Sequence, residues 1–381
     1  MNGMMRQVLG SGLGNGIHGG SEGCVREMWA TRARPSLTLR VLLIAFLWVA
    51  AGCEVKPGVI FPEAADAPRW PPPPDEPRIT WVGQLATSAD LKPGLNGWEA
   101  LGQALFGKEP ARSMLTPIAV CTDNASRVFV ADSNAQVVHV FDLATRQYAM
   151  WRPGKGEPAL AQPVGIAWDA VGRRLLVSDS VAGAIFVFNS AGGYAGRMGG
   201  GVLQRPVGLA VDGRGRVFVA DCGAHQVLVF GTDGILEERL GTRGEGLGQF
   251  NYPTNVALDP AGLVYVSDSL NFRVQQFDAQ LKPMAAFGKK GDLPGYFAQP
   301  KGLATDSEGH VYVVDGQFEN VQIFDGQGRV LTDFGEEGAG RGQFWLPTAI
   351  FIDGHDRLWV ADSYNRRVQV FDYKKAQEAN P

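Results

Sequence analysis

The chain has 381 residues, of which 45% are hydrophobic and 19% are charged, and its formal net charge is −4. This composition excludes intrinsic disorder of the whole chain, a collagen helix and a coiled coil. The 50 glycines and 23 prolines favour a β-rich fold, because turns use both residue types. No long basic run occurs, so nucleic acid is not an expected partner.

An export signal stands near the start of the chain. Residues 41–52 (VLLIAFLWVAAG) form an uncharged apolar run of twelve residues, which follows Arg40 and ends in small residues. This arrangement is typical of a secretory signal, and the run is too short to span a bilayer, which needs about 20 residues. The stretch Val49–Cys53 resembles the lipobox of bacterial lipoproteins. The resemblance implies an exported protein that is lipid-anchored to a bacterial membrane through Cys53, and Glu54 favours the outer membrane, with the following domain in the periplasm or at the cell surface.

The N-terminal part of the chain divides around this signal. Residues 1–27 precede the basic flank, and Met28 is a better start, so we interpret 1–27 as a mis-called leader and 28–52 as the signal peptide. Residues 53–77 are rich in proline. Proline extends a chain to about 3.1 Å per residue, so this tether is predicted to hold the next domain as far as roughly 70 Å from the membrane.

A repeated pattern fills residues 78–373 and leaves 374–381 as a tail. Each copy has a proline, an apolar run that ends in aspartate, a short polar turn and an alternating strand that ends in phenylalanine. The aspartates, separated by 47, 42, 47, 47 and 47 residues, are Asp132, Asp179, Asp221, Asp268, Asp315 and Asp362. Four short strands in each repeat of this length indicate the blades of an all-β, six-bladed β-propeller.

The strand count predicts how the ring closes. The sixth repeat ends at Asp372 and its tail offers no fourth strand, whereas Ile79–Gly83 has the fourth-strand pattern without three strands before it. We therefore predict that this N-terminal strand completes the sixth blade, because the pairing removes edges that would otherwise be exposed.

The repeat resembles the NHL repeat. Its fullest copies lie at Pro253–Asp278 and Pro347–Asp372, and each carries an Asn-x-Arg pair after the aspartate. The two pairs are Asn271/Arg273 and Asn365/Arg367. The resemblance implies a six-bladed propeller, but NHL propellers include scaffolds, RNA-binding proteins and a zinc lyase of peptide amidation. It is therefore specific for the fold and says little about the chemistry.

One segment interrupts the strands. In residues 96–107, Asn96 with Glu99 resembles a capping box, and Gly107 ends the predicted helix. The apolar residues that share one face of this helix are Trp98, Leu101, Leu105 and Phe106. We predict that this face packs on a blade or on the channel mouth. Membrane contact is the alternative, which the lack of Lys and Arg on the polar face disfavours.

The six repeat aspartates are interpreted as structural. Because they are related by the repeat, we expect each to accept hydrogen bonds within its own blade rather than to bind a metal ion. His225 is the only histidine near the loops between strands b and c, so a zinc site of the lyase type is not expected. The sequence thus predicts no catalytic residues, no metal and no cofactor.

The leading functional hypothesis is a binding or scaffold module. In a propeller, the loops between strands d and a and those between strands b and c share one face. The predicted binding residues on this face are Gln162, Arg205, Tyr252, Gln299, Lys301, Leu346, His225, Gln317, Phe318 and Tyr364. Aromatic side chains together with arginine suit a protein contact, so the predicted partners are unidentified envelope proteins.

Two alternatives stay open. One is a metal-dependent lactonase or esterase, which would need acidic, amide and imidazole groups in the central channel, where Asn255 is the one obvious candidate. The other is binding of a polysaccharide by the loop aromatics.

Overall fold

The structure is a computed structural model that describes residues 55–108 and 110–375. The predicted leader, the signal peptide and the lipidation site Cys53 lie outside the described residues. Among the described residues, no helix is both long and apolar enough to cross a bilayer.

Short elements precede the first repeat. Strands β1 (Arg69–Trp70) and β2 (Ile79–Leu85) are followed by a 3-10 helix (Ser88–Leu91) and by the helix α1 (Gly97–Phe106). The helix therefore lies where the capping box predicted it.

Six four-stranded antiparallel blades follow. Blade 1 contains β3 (Pro117–Thr122), β4 (Arg127–Asp132), β5 (Val137–Asp142) and β6 (Gln147–Trp151). Blade 2 contains β7 (Pro163–Asp169), β8 (Arg174–Asp179), β9 (Ala184–Asn189) and β10 (Tyr194–Met198). Blade 3 contains β11 (Pro206–Val211), β12 (Val217–Asp221), β13 (Gln226–Phe230) and β14 (Leu236–Leu240).

The second half of the ring repeats this arrangement. Two short parallel strands, β15 (Thr242–Arg243) and β16 (Gln249–Phe250), lead into the fourth blade. Blade 4 contains β17 (Pro253–Leu258), β18 (Val264–Asp268), a 3-10 helix (Ser269–Asn271), β19 (Arg273–Phe277) and β20 (Pro283–Phe287). Blade 5 contains β21 (Pro300–Thr305), β22 (Val311–Asp315), β23 (Asn320–Phe324) and β24 (Val330–Phe334). Blade 6 contains β25 (Pro347–Ile352), β26 (Arg357–Asp362) and β27 (Arg367–Tyr373), and β2 is its fourth strand.

The predicted ring closure is confirmed. Strand β2 pairs antiparallel with β27, with Ile79 opposite Tyr373 and Leu85 opposite Val368. Ile79 and Leu85 are fully buried and belong to different core clusters, so the strand seals the junctions on both sides of blade 6. Strand β1 pairs with the outer edge of β2 and gives blade 6 a fifth strand that the repeat pattern did not predict.

The proline-rich segment before β2 lies against the propeller. The Phe61 ring packs against Trp359, with 6.2 Å between ring centroids, and it covers Gly83, where a Cβ atom would collide with the ring. Trp70 contacts Phe334 and Phe371 at centroid distances of 5.8 and 6.0 Å. The predicted tether is therefore not a detached spacer over residues 55–70, because Phe61 and Trp70 find apolar partners on blades 5 and 6. We call residues 55–61 the strap.

The helix α1 also differs from its prediction. Asn96 Oδ1 accepts hydrogen bonds from the backbone amides of Trp98 and Glu99, at 3.1 and 3.0 Å, so the capping box forms. The helix nevertheless contains no buried residue, and Phe106 is 89% exposed. Leu101 is half-buried, but Trp98, Leu105 and Phe106 are largely exposed, so most of the face that was expected to pack on a blade or on the channel mouth is open to solvent. The residues leading into α1 pair with the strap, so the helix begins beside the strap.

Candidate functional site

The two ends of the propeller differ in their connections. The loops that join strand d to strand a and strand b to strand c lie at one end, which we call the loop face. The hairpin turns that join strands a to b and c to d lie at the other end, which we call the turn face. The first strands of neighbouring blades contact one another and enclose the central channel.

The repeat aspartates hold the loop face together. All six are fully buried at the ends of the second strands. The Asp315 carboxylate accepts backbone hydrogen bonds from Ala298 and Gln299 in one loop and from Gln317 and Phe318 in the next, at 2.7 to 3.1 Å. Each aspartate thus fastens two loops of its own blade, which uses the oxygen atoms that a metal ion would need.

The Asn-x-Arg pairs add side-chain donors to this arrangement in blades 4 and 6. In blade 4, Asp268 Oδ2 accepts hydrogen bonds from Asn271 Nδ2, Arg273 Nε and Gln275 Nε2, at 2.8, 2.9 and 3.0 Å. Asn365, Arg367 and Gln369 make the same contacts to Asp362 in blade 6. A guanidinium group within a buried carboxylate network fixes both loops more firmly than backbone amides alone.

Blade 1 uses a histidine instead. His139 occupies the position of Gln275 and Gln369, seven residues after the aspartate, and its Nε2 lies 3.1 Å from Asp132 Oδ2. Its Nδ1 lies 2.6 Å from the Tyr148 hydroxyl. Burial by itself raises the pKa of Asp132, but the contact with His139 and three backbone amides lowers it overall. The role of His139 was not predicted from the sequence, since it shows only when the positions after the Asn-x-Arg pair are aligned between blades.

The central channel contains a cavity of about 640 Å³. This volume falls within the range of about 300–1,000 Å³ that is typical of small-molecule pockets. The lining is mostly apolar, with side chains such as Ile118, Ile166 and Leu209 from successive first strands. Among the described residues that line the cavity, the titratable ones are Lys301 near the loop face and Asp212 near the turn face. Asp212 is already paired with Arg216, whose Nε lies 2.8 Å from its Oδ2.

Lys301 brings a positive charge to the channel mouth. Its side chain lies against Gly316, where a Cβ atom would stand 2.9 Å from the Lys301 nitrogen. Burial lowers the pKa of Lys301, although the carboxylate of Asp315 acts in the opposite direction. No hydrogen bond or ion pair joins this ammonium group to another residue of the described part of the chain. It is therefore available to an anionic group that enters the channel.

Asn255 is another polar residue of the inner wall. Its Oδ1 accepts a hydrogen bond of 2.8 Å from the Val256 amide and leans against Gly208 of the neighbouring blade. The hydroxyl groups of Thr254 and Thr348 line the same cavity. Both hydroxyl groups already donate to backbone carbonyls, and Asn124 adds a second amide to the lining. One ammonium and two amides suit an anion or a hydrogen-bonding ligand better than a divalent cation, which prefers several carboxylate oxygens.

The predicted binding residues separate into two groups. Arg205, Tyr252, Gln299, Gln317 and Tyr364 are exposed on the loop face, whereas Gln162, Leu346, Phe318 and Lys301 are partly buried. His225 is only 8% exposed, and its ring packs edge-on against Tyr252, at 4.7 Å between centroids. His225 Nδ1 also accepts a hydrogen bond from the Tyr252 amide, so it positions Tyr252 rather than facing solvent.

The loop face carries a ring of exposed apolar side chains. Its members, each between 39% and 69% exposed, are Leu115, Val181, Tyr252, Leu270, Trp345 and Tyr364. Trp345 and Tyr364 form a pair with 5.4 Å between ring centroids. Trp345 was not among the predicted binding residues, because in the loops between strands d and a only the residues directly beside each proline were considered. We call these six residues the apolar ring.

A cluster of metal-ligating residue types occurs on the turn face of blade 5. Ligand atoms of Asp306, Glu308 and His310 lie within 4.8 Å of one another. Asp306 Oδ2 accepts a hydrogen bond of 3.0 Å from the Tyr312 hydroxyl, and Glu308 accepts one of 2.6 Å from Tyr373. These contacts explain the cluster as a hydrogen-bond network between blades 5 and 6.

Comparison with known proteins agrees with this geometry. The model of the NHL repeat matches residues 203–230 and 250–277. "Protein brain tumor" of Drosophila melanogaster is 27% identical over 127 residues, which make up 33% of this chain and 12% of that protein. The match therefore spans only a small part of the length of this curated relative.

Two solved structures share the fold at low sequence identity. An auxiliary nutrient binding protein from Bacteroides thetaiotaomicron has a TM-score of 0.55 and 14% identity, and the match covers 69% of this chain and 70% of that chain. A gluconolactonase from Xanthomonas campestris has a TM-score of 0.53 and 16% identity, with 68% of this chain and 87% of that chain covered. One of these proteins is named for binding and the other for catalysis, so the shared fold alone does not specify a function. Together, the repeat match and the blade architecture identify the chain as a six-bladed β-propeller that contains NHL repeats.

Proposed function

We propose that the protein is a lipid-anchored propeller of the bacterial cell envelope that binds other envelope proteins through its loop face. The observation that carries this proposal is the apolar ring. Its most exposed aromatic side chains, Trp345 and Tyr364, contact each other. Exposed aromatic side chains surrounded by polar groups are typical of the central anchors of protein interfaces. The coarser conclusion, a protein-binding or scaffold module, agrees with the presence of NHL repeats.

The construction of the loop face supports a rigid contact surface. Buried aspartates fasten the loops, so a partner would meet side chains that are already positioned. A preorganised surface loses less conformational entropy on binding than a flexible one. Arg205 and Gln317 supply exposed polar groups beside the apolar ring, which is the composition of a transient interface rather than of a permanent one.

The proposed location depends on the sequence of the first 53 residues. The apolar run 41–52 supports export, and the lipobox-like stretch before Cys53 supports attachment to a membrane. Radiolabelled palmitate should label the wild-type chain but not a Cys53→Ser variant. Absence of label from the wild-type chain would contradict the anchor without affecting the proposed binding surface.

Site-specific crosslinking tests the binding surface. A photoreactive phenylalanine analogue at Tyr364 should crosslink a discrete partner in intact envelopes. The matched control places the same analogue at Ile235, which is 66% exposed on the turn face. For the identified partner, Trp345→Ala should weaken binding by roughly tenfold or more, as expected for an aromatic anchor. A chain that forms no crosslinked product from any position of the apolar ring would disprove the proposal.

Polysaccharide binding is a second candidate function. The Trp345 and Tyr364 rings are 50% and 57% exposed and lie side by side, so they could stack against sugar rings. Co-sedimentation with purified cell-wall polysaccharide separates the two candidates, because only a sugar-binding surface would be depleted from solution. The lactonase alternative has less support, since the described channel residues offer one carboxylate, Asp212, and that group is paired with Arg216.

A further inference from the structure

The helix α1 presents large apolar side chains to solvent. Leu105 is 63% exposed and Phe106 is 89% exposed, and Trp98 on the same face is 57% exposed. None of the ten residues of this helix is fully buried, so only part of its apolar surface is covered by the rest of the protein. We call Trp98, Leu105 and Phe106 the α1 patch. The exposure of this patch requires an explanation, because neighbouring large apolar side chains that are open to solvent mark an interaction site.

The patch lies next to the point where the chain leaves toward Cys53. The Val55 amide donates to the Leu95 carbonyl at 2.9 Å, and the Leu95 amide donates back to Val55 at 2.8 Å. Leu95 stands two residues before the first residue of α1, and Val55 stands two residues after Cys53. Two residues span at most about 7 Å, so a lipid on Cys53 would begin close to the start of the helix.

This corner is firmly held by hydrogen bonds. Lys92 Nζ donates to the carbonyls of Val59 and Ile60, at 2.6 and 3.2 Å. Arg146 on blade 1 donates to the carbonyls of Gly58 and Leu91, at 2.5 and 2.9 Å. The strap and the start of α1 are therefore fixed to the propeller. A membrane that contains the lipid on Cys53 must then lie near α1.

The charges around the corner suit a lipid surface. Lys56 in the strap and Lys108 after the helix are exposed, while the Lys92 ammonium group is engaged by the strap carbonyls. Glu99, the acidic residue of the first helical turn, is engaged by the capping box. Basic residues beside an exposed apolar helix are attracted to anionic lipid headgroups, while Leu and Phe enter the boundary between headgroups and acyl chains.

We propose that the α1 patch inserts into the surface of the membrane that holds the Cys53 lipid and thereby fixes the orientation of the propeller. This inference rests on the proposed lipid anchor. A lipid on a flexible spacer would let the propeller tumble, whereas a lipid and a neighbouring helix together define a single face that meets the bilayer. The loop face then has one direction relative to the membrane.

Depth measurement on the lipidated full chain tests the inference. An environment-sensitive fluorophore is attached to Ala104→Cys, an exposed position of α1, in vesicles of phosphatidylethanolamine and phosphatidylglycerol. Doxyl-labelled lipids should quench this probe strongly. The same probe at Met284→Cys, which is 52% exposed on the outer strand of blade 4, is the matched control and should remain unquenched. Equal quenching at the two positions overturns the inference.

Patch variants show whether the apolar side chains drive insertion. Leu105→Ser with Phe106→Ser should lower the partitioning of the Ala104→Cys probe into the membrane by well over tenfold, since burial of each side chain alone contributes about tenfold or more. Leu293→Ser, an exposed loop position with 58% exposure, should leave the fraction unchanged. The unfolding temperature should stay the same in these variants, because Leu105, Phe106 and Leu293 are all largely exposed in the free protein. Unchanged insertion of the double variant overturns the inference.

Three further outcomes are distinguishable. If palmitate does not label Cys53 in the same preparation, the proposed anchor fails. If palmitate labels Cys53 but the α1 probe stays in water, the anchor stands and the helix inference fails. A detergent-solubilised dimer that becomes a monomer in the patch double variant would assign the patch to a second copy of the chain, which also overturns membrane insertion.

Discussion

The Lys301 side chain occupies space that exists only because residue 316 is glycine. A Cβ atom on Gly316 would lie 2.8 Å from Lys301 Cε and 2.9 Å from its nitrogen. The residues at the position of Gly316 in blades 1, 2, 4 and 6 are the serines Ser133, Ser180, Ser269 and Ser363. Ser180 and Ser363 each donate a hydrogen bond of 2.6 Å to the proline carbonyl of the next blade. Blade 5 lacks this link and holds an ammonium group at the channel mouth instead.

Gly316→Ser should therefore destabilise the protein. The serine side chain would collide with Lys301, and overpacking of this kind costs about 1–3 kcal/mol. Lys301→Val combined with Gly316→Ser recreates the Val164 and Ser180 pair of blade 2. The double variant should recover the loss, because the serine gains room and an acceptor on blade 6. Urea denaturation of the two single variants and the double variant measures the coupling free energy between residues 301 and 316. A double variant no more stable than Gly316→Ser would contradict the packing argument.

Closure of the ring depends on the buried side chains of β2. Leu85 is fully buried opposite Val368, so Leu85→Ala should lower the free energy of unfolding by about 2–5 kcal/mol. Hydrogen exchange should accelerate first in β27, which loses its partner strand when β2 detaches. Leu331→Ala in β24 is the control, because Leu331 is 52% exposed and should change stability little. Equal effects of the two substitutions would show that β2 does not hold the ring together.

The sequence predicts the propeller because its information is local and repeated. The spacing of the aspartates sets the blades, and the missing fourth strand after Phe371 matches the orphan strand that starts at Ile79. Prolines in the strap predict an extended backbone but not its partner. The docking of Phe61 requires Gly83 and Trp359, and these residues meet only in the closed ring.

The candidate site was predictable only in part, for a similar reason. The sequence places Lys301 on the loop face by its position after a proline, but its contact with Gly316 depends on the pairing of β21 with β22. His225 was predicted as a surface residue from its loop, whereas its burial depends on Tyr252 in the next connection. Burial and side-chain direction are set by tertiary neighbours, which a linear pattern does not contain.

The repeat aspartates should be sensitive to loss of charge. In blade 1, Asp132 accepts hydrogen bonds from the amides of Leu115, Thr116 and Ala135 and contacts His139. Asp132→Asn places an amide donor where only acceptors fit, so it should lower the free energy of unfolding by about 1–3 kcal/mol at neutral pH. Asp233→Asn in an exposed turn is the matched control and should have little effect. The prediction is wrong if thermal and urea unfolding do not distinguish the two variants.

The turn face of blade 5 should make stability depend on pH. The hydrogen bond between His310 Nδ1 and Asp306 Oδ2, 2.8 Å long, raises the pKa of His310 above that of an unfolded histidine. The folded protein therefore binds the proton more tightly than the unfolded chain, and stability falls as pH rises between the two pKa values. The contribution should be complete below about pH 6.5 and lost as pH rises through the folded-state pKa.

Two variants isolate this contribution. His310→Gln keeps a donor near Asp306 but cannot titrate, so the stability difference between pH 5.5 and pH 8.5 should shrink relative to the wild type. Asp306→Asn removes the negative charge that stabilises the proton on His310. It should therefore also reduce the stability difference between pH 5.5 and pH 8.5. Urea denaturation at the two pH values gives both numbers, and an unchanged difference in His310→Gln would assign the pH dependence to other groups. Because Tyr312 and Tyr373 also donate to this cluster, the loss at high pH should appear first at the junction between blades 5 and 6, where hydrogen exchange can locate it.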